Sequence, residues 1–377
     1  MRALTVEDLR TLVGSHTPPC LSLYLPTHRN GSPEDKHHFE GAVRNAREVL
    51  DGSMKPNEIE SFLEPVVGLS TPAFWQEHSE GLAVFRSRDH MACYRLPVTV
   101  PETLIAADSF HIRPLIRFLQ SNQRYFLLSL SQNYVRLFKG SAIGLSPVNV
   151  EGLPRSLEDA LGQEERGRSV RVHYGSSGGK NPIYGGAGKS DTSRDEDLLR
   201  FFRAVDEALW PLLRDEKVPM ILVAPQRELP IYRSVSRYAH IAEQGVHGNF
   251  SEARMEDLHA RAWPIVQAIV DARTEEIRER YDKLVSRARA LDEIRGIATY
   301  AIQGRVHQLL LARDVHLWGR LDRSSGAVEL HGKDRAKGDD DVLDDLAEAV
   351  LVRGGEVFSL DATNLPSKSP VAAILRW

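Results

Sequence analysis

Between His173 and Arg194 the chain carries six glycines and three Lys/Arg residues against a single acid, Asp191. The stretch runs from His173-Tyr-Gly-Ser-Ser-Gly-Gly-Lys180 into Gly185-Gly-Ala-Gly-Lys-Ser190. It has too few apolar groups to bury and too much backbone freedom to be held by its own contacts. No core can be built through it, so the fold must close before it and resume after it. Such a segment is either a disordered surface insert or a probe that orders on a phosphate-bearing partner.

Length and composition leave room for this insert. The chain has 377 residues, enough for two or three domains with cores of their own. Its 42% hydrophobic and 27% charged residues are those of a soluble globular protein. A net charge of -4 rules out nucleic-acid binding by bulk charge and leaves it to local basic patches. The two cysteines, Cys20 and Cys93, sit beside strand-like apolar residues, as reduced thiols of a cytosolic protein would. The N-terminal segment has no signal-peptide core, and no apolar run approaches the ~20 residues that span a bilayer. A cytoplasmic protein without membrane contact is expected.

Periodicity marks three blocks. In the first, Cys20 to Leu25 reads as a buried strand ended by Pro26, and Phe39, Val43, Ala46 and Leu50 share one helix face. Leu82–Phe85 and Met91–Leu96 flank a hairpin turn. In the second block, Tyr125–Leu130 and Tyr134–Phe138 form a hairpin across residues 131–133. Ser193-Arg-Asp-Glu196 has capping-box spacing, with Leu198, Phe202, Val205 and Leu209 following at helical period. Met220–Ala224, between two prolines, suits a strand buried on both faces. Residues 249–290 read as helix interrupted near Pro264. The third block holds the strand Val306–Leu311, a short strand-like run at Val315–Trp318, an acidic helix over 339–352 and two closing strands, 356–360 and 372–377. Strands alternating with helices imply α/β layers.

The familiar catalytic motifs are missing. A phosphate loop needs Gly five residues before Gly188-Lys-Ser, and that position is Ile183. There is no HExxH, no paired CxxC and no G-x-S-x-G elbow, so neither a metal nor a serine nucleophile is expected. The carboxylates of 339–341 and 344–345 read as a solvated acidic face at a helix start. Arg44 and Arg47 read as the exposed side of their helix.

The order of the blocks resembles the archaeo-eukaryotic class-1 peptide release factors and Pelota, and more closely their bacterial release-factor-like relatives. The likeness is carried by the hairpin 125–138, the Gly-rich loop, the helix 194–213 and the strand 220–224. In the last block it is carried by Gly304-Arg-Val-His-Gln-Leu-Leu-Leu311 and Gly354-Gly-Glu-Val-Phe358. The N-terminal Leu21-Ser-Leu-Tyr-Leu-Pro-Thr-His-Arg29 is similar to the bacterial relatives and not to a stop-codon-reading domain. The family's catalytic loop is Gly-Gly-Gln. Here Gly178-Gly179 is followed by Lys180, and Gly185-Gly186 by Ala187. Glutamine offers an acceptor as well as donors, whereas the Lys ammonium only donates.

The expectation is an α/β protein of three α/β domains in series: 1–120, 121–264 with the loop 173–194, and 265–377. The last is expected to resemble kink-turn-binding ribosomal proteins. The resemblance implies a ribosome-associated translation factor at the A site of stalled or idle ribosomes, in rescue or hibernation, without codon-specific termination. Its partners would be the ribosome, through rRNA or tRNA, and a translational GTPase. It would act as a monomer without a cofactor, with Lys180, Gly185, Gly186, Lys189 and Arg194 as ribosome contacts. One alternative is a peptidyl-tRNA hydrolase using Gly178, Gly179 and Lys180 with His173. Another is an RNA-binding or scaffold protein unrelated to the ribosome.

Overall fold

The computed structural model describes residues 4–14, 16–29, 31–51, 53–76, 79–162, 191–250, 253–332, 335–336 and 338–377. Two compact units emerge, Met1–Ser121 together with Thr274–Trp377, and Asn122–Arg273.

The first unit begins with α1 (Val6–Val13), whose N-cap Thr5 and N3 residue Asp8 form a reciprocal capping box. The strand β1 (Cys20–Pro26) follows. Next is α2 (Pro33–Leu50), started by Ser32 as cap and Pro33 in the first turn. After α3 (Pro56–Val67) come β2 (Gly81–Arg86), β3 (Met91–Leu96), β4 (Thr103–Ala107) and the helix α4 (Arg113–Ser121). The sheet is antiparallel, ordered β3-β2-β1-β4. Side chains alternate across it. Leu23, Leu25 and Val84 meet Phe39 and Val43 of α2 on one face, as the helical period required. Tyr24, Ala83 and Phe85 face a second core on the other. Burial on both faces is why β1 reads as an unbroken apolar run.

The middle unit is built on β5 (Tyr125–Ser131), β6 (Tyr134–Ser141) and β7 (Gly144–Val148), an antiparallel meander. Then come α5 (Asp191–Leu213), β8 (Met220–Ala224), α6 (Glu228–Val235), β9 (Val246–His247) and α7 (Met255–Val285). The sheet order is β7-β6-β5-β8-β9, with β5, β8 and β9 parallel. Phe126, Leu128 and Leu130 pack on α5, while Tyr125, Leu127 and Ile221 pack towards Leu258, Ala262 and Val266 of α7. Two sequence readings change here. The helix α5 is already formed at Asp191, so Ser193 lies inside it and does not cap it. And α7 passes through Pro264 unbroken. Ala262, Ile265 and Val266, buried on either side of that proline, hold both stretches to one sheet face.

The remainder of the first unit comprises β10 (Ala290–Leu291), α8 (Ile294–Ile302), β11 (Val306–Ala312), β12 (Trp318–Leu321), β13 (Val328–Leu330), β14 (Asp340–Asp341), α9 (Val342–Val352), β15 (Glu356–Leu360) and β16 (Val371–Leu375). The run from Val315 becomes strand only at Trp318. Its main sheet is ordered β10-β16-β11-β15, with β11 parallel to β15 and antiparallel to β16. Leu309, Leu343, Leu346 and Val350 share one hydrophobic cluster with Tyr24, Phe85 and Phe110. The first and last stretches of the chain therefore close a common core.

Gly140 on β6 pairs with Tyr125 on β5, and a Cβ there would run into the buried Tyr125 ring. Overpacking of this kind costs about 1–3 kcal/mol. Gly140→Ala is expected to lower the unfolding midpoint in urea accordingly. Gly68→Ala, which faces open space, should leave it within ~0.5 kcal/mol.

Candidate functional site

The sequence-derived contact and catalytic candidates His173, Gly178, Gly179, Lys180, Gly185, Gly186 and Lys189 lie outside the described residues. Arg194 sits in the first turn of α5, and its side chain is outside them too. What the structure does show is how the flanks of this segment are fastened. Residues 157–162 are helical, and the Leu157 amide donates to the Gln132 carbonyl at the β5–β6 turn (2.7 Å). Ala160 is buried in the same cluster as Leu198, Phe201 and Phe202 of α5. The segment 163–190 thus leaves and re-enters one hydrophobic core.

Polar bonds complete the anchorage of α5. Asp206 is buried and accepts from the Ser236 hydroxyl (2.9 Å), the Arg237 amide (3.0 Å) and Arg237 Nε (2.7 Å). The Arg237 guanidinium lies over the Trp210 ring, 4.7 Å from its centroid. Nearer the helix start, Asp195 pairs with Arg227 at 2.7 Å. A carboxylate in that position complements the positive end of the helix dipole.

The first unit holds a second polar constellation, which sequence reasoning missed. Asp341, Asp344, Asp345 and Glu348 are buried, as is Asp339, and none forms a solvated acidic face. Asp344 accepts from the Ile112 amide (3.0 Å) and the Arg113 amide (2.8 Å), satisfying donors at the start of α4. Arg113 is itself buried and donates to Asp341 Oδ2 (2.5 Å) and to the carbonyls of Val315 (2.8 Å) and Ala312 (2.5 Å). Asp341 caps α9 through the Leu343 amide. Burial opposes ionisation of Asp341, but the hydrogen bond from His316 and the charge of Arg113 outweigh it and hold the carboxyl at about 2.

His111, His316 and Asp341 each offer a ligand atom within 4.8 Å of the others. Both Asp341 oxygens are already taken, Oδ1 by the Leu317 and Leu343 amides and Oδ2 by Arg113 and His316. Burial lowers the His111 pKa to about 3, so its ring stays neutral. The triad is read as a hydrogen-bonded strut and not as a cation site. Neither cysteine is a nucleophile: both are free thiols pushed up to about 12 by burial. Arg47 is paired with Glu60 (2.7 Å), which leaves Arg44 as the exposed arginine of that helix.

Next to the strut, one guanidinium serves two carboxylates. Arg323 bonds Asp345 (2.8 Å) and Glu348 (2.6 Å) beside a cleft of about 1070 Å³ lined by Asp340, Arg88, Arg320 and Arg335. Burial, reinforced by the neighbouring carboxylates, lifts Asp340 to about 7, Asp345 to about 6 and Glu348 to about 8, although Arg323 pulls the last two back.

Residues 124–305 match the model of a protein family described as bacterial archaeo-eukaryotic release factor family 3. The protein is release-factor-like, of the class to which Pelota and the archaeal termination factors are assigned. Within that class the match is to the bacterial family 3, over the middle unit and the start of the following stretch. Among solved structures the chain is similar to Archaeoglobus fulgidus Pelota (11% identity, 100% of this chain and 94% of that one, TM-score 0.30). It is also similar to S. cerevisiae Dom34, described as a translation termination-like factor interacting with Hbs1 (10%, 78% and 80%, TM-score 0.39). A third is a model of ribosome-bound archaeal Pelota and ABCE1 (14%, 100% and 95%, TM-score 0.40). Superpositions this loose fix neither the arrangement of the units nor a function. No curated protein matches the chain. Among the described residues no helix is long and apolar enough to cross a membrane.

The raised carboxylates make stability depend on pH. Their folded-state pKa values lie above the ordinary ~4 of the unfolded chain, so the folded form holds protons that the unfolded form has released. Stability of the first unit is therefore expected to be greatest near pH 5 and to fall as pH rises towards 8. Glu348→Gln, an uncharged isostere, should raise the melting temperature at pH 8, change it little at pH 5 and flatten the slope between. An unaltered slope would show that Glu348 is ionised throughout this range.

Proposed function

We propose that this release-factor-like protein is a cytoplasmic ribosome-associated factor acting at the A site of stalled or idle ribosomes, in rescue or hibernation. The observation that carries the reading is the family match over 124–305, which encloses the whole Gly-rich, Lys-bearing segment and the core that fastens its ends. In this role Gly185 and Gly186 allow close backbone approach to rRNA or tRNA, and Lys180, Lys189 and Arg194 meet phosphates. A translational GTPase would be its protein partner, and the protein would act as a monomer. Codon-specific termination is not part of the proposal, because nothing in the N-terminal segment resembles a stop-codon reader.

The binding can be measured by sedimentation with ribosomes. With three phosphate contacts, affinity is expected to fall by more than about tenfold between 50 and 200 mM salt. Absence from the ribosomal pellet at low salt, with both vacant and stalled ribosomes, overturns the proposal.

Chemistry at the loop is tested separately. Lys180 lacks the acceptor that the family's Gln supplies for positioning water. Peptide release from ribosome-bound peptidyl-tRNA is therefore expected to stay near background for the parent and for Lys180→Ala, the latter binding modestly less well. Robust release by the parent, abolished by Gly179→Val or Lys180→Ala, would instead make the protein a hydrolase.

A further inference from the structure

Four strands of the last stretch end in arginines on the same side of one sheet. Arg289 precedes β10, Arg376 follows β16, Arg305 precedes β11, and Arg353 lies just before the Gly354-Gly355 turn into β15. With β16 antiparallel to its neighbours β10 and β11, and β11 parallel to β15, all four positions fall at one end of the β10-β16-β11-β15 sheet. At ~4.8 Å per strand the row spans about 14 Å.

These side chains are ordered by main-chain acceptors and not by acids. Arg305 Nη2 donates to the Trp377 carbonyl (3.2 Å) and Arg376 Nη2 to the Arg353 carbonyl (2.7 Å). Arg353 Nη1 donates to the Ala349 carbonyl (3.1 Å), and Arg289 Nη2 reaches the Leu375 carbonyl (3.4 Å) and that of Arg376. Among the described residues none of the four is ion-paired, although most arginines of the first unit are, including Arg47, Arg88, Arg113, Arg313 and Arg323. The Nε atoms of Arg289 and Arg305 are buried without a partner. A positive left-handed φ at Gly304 (71°) and at Gly354 (71°) makes the two tight turns that bring Arg305 and Arg353 together. Four like charges held together without counter-charge repel one another, so an anion seated on them is stabilised.

The patch also carries flat aromatic surface. Arg305 lies over the Tyr300 ring, 4.7 Å from its centroid, and Trp377 is 65% exposed beside it. Pre-ordered guanidiniums alternating with open aromatic faces suit a single-stranded nucleic acid, phosphates on the first and bases on the second. An acidic peptide would use the charges and leave the rings idle.

We propose that Arg289, Arg305, Arg353 and Arg376, with Tyr300 and Trp377, form a binding site for single-stranded RNA separate from the Gly-rich loop. It goes beyond the ribosome reading and does not need it. The test is fluorescence anisotropy of the full chain with a labelled 12-nucleotide single-stranded RNA, alongside a poly-glutamate peptide of matched charge. The parent should bind the RNA with strong salt dependence, and Arg353→Glu or Arg376→Glu should weaken it more than about tenfold. Trp377→Ala should weaken it about fivefold or more by removing a stacking platform, and RNA should quench Trp fluorescence in the parent but less in this variant. Lys180→Ala combined with Lys189→Ala should retain most of the affinity, which separates this site from the loop. Melting temperatures show that each variant is folded, and Arg305→Lys, which keeps the charge, should retain partial binding. The proposal is overturned if folded charge-reversed variants bind RNA like the parent, or if poly-glutamate binds as tightly and Trp377→Ala changes neither. Ribosome sedimentation of the same variants reports on the ribosome reading independently.

Discussion

Everything in the first unit hangs on one exchange of bonds between distant stretches of chain. Asp344 closes the amides at the start of α4, and from the same turn Arg113 reaches back to Asp341 and the carbonyls that follow β11. Each partner is buried, so removing one leaves a charge without compensation in low dielectric, a loss of about 3–5 kcal/mol. The exchange holds the second face of the N-terminal sheet against α9. It also sets the walls of the cleft beside Arg323. With both in place, the carboxylates of α9 are enclosed, and their proton affinity rises as a result.

The strands were legible in the sequence because proline and glycine bracket them and because their burial on both faces leaves continuous apolar runs. Met220–Ala224 is the clearest case, with all five side chains buried. The helix faces of α2 and α5 were legible for a similar reason, since their apolar residues keep helical period. The acidic cluster was not. The amides that Asp344 satisfies lie 232 residues away in Ile112, and local pattern can only read such carboxylates as solvent-facing. Pro264 misled because a proline's cost to a helix is local, while the sheet that holds α7 straight through it is not. The arginine row was hidden more deeply still. Each member merely flanks a strand, and only the strand order sets them side by side.

The two basic features of the chain rest on different physics. The Gly-rich segment has backbone freedom and phosphate-binding side chains, with a rigid core at its ends. The arginine row has almost no freedom left, each guanidinium being fixed by a carbonyl. A partner meeting the first must bear the entropy of ordering it, whereas the second has its conformational cost met during folding.

The shared core of the first and last stretches has a consequence in time. Tyr24, Phe85 and Phe110 are synthesised early, yet their packing partners Leu343, Leu346 and Val350 follow more than 230 residues later. At about 5–20 residues per second a translating ribosome takes roughly ten to fifty seconds to cover that distance. Throughout that interval the nascent N-terminal sheet has one covered face and one bare one. Its biogenesis therefore depends on a holding chaperone or on the slow arrival of its own C-terminal half.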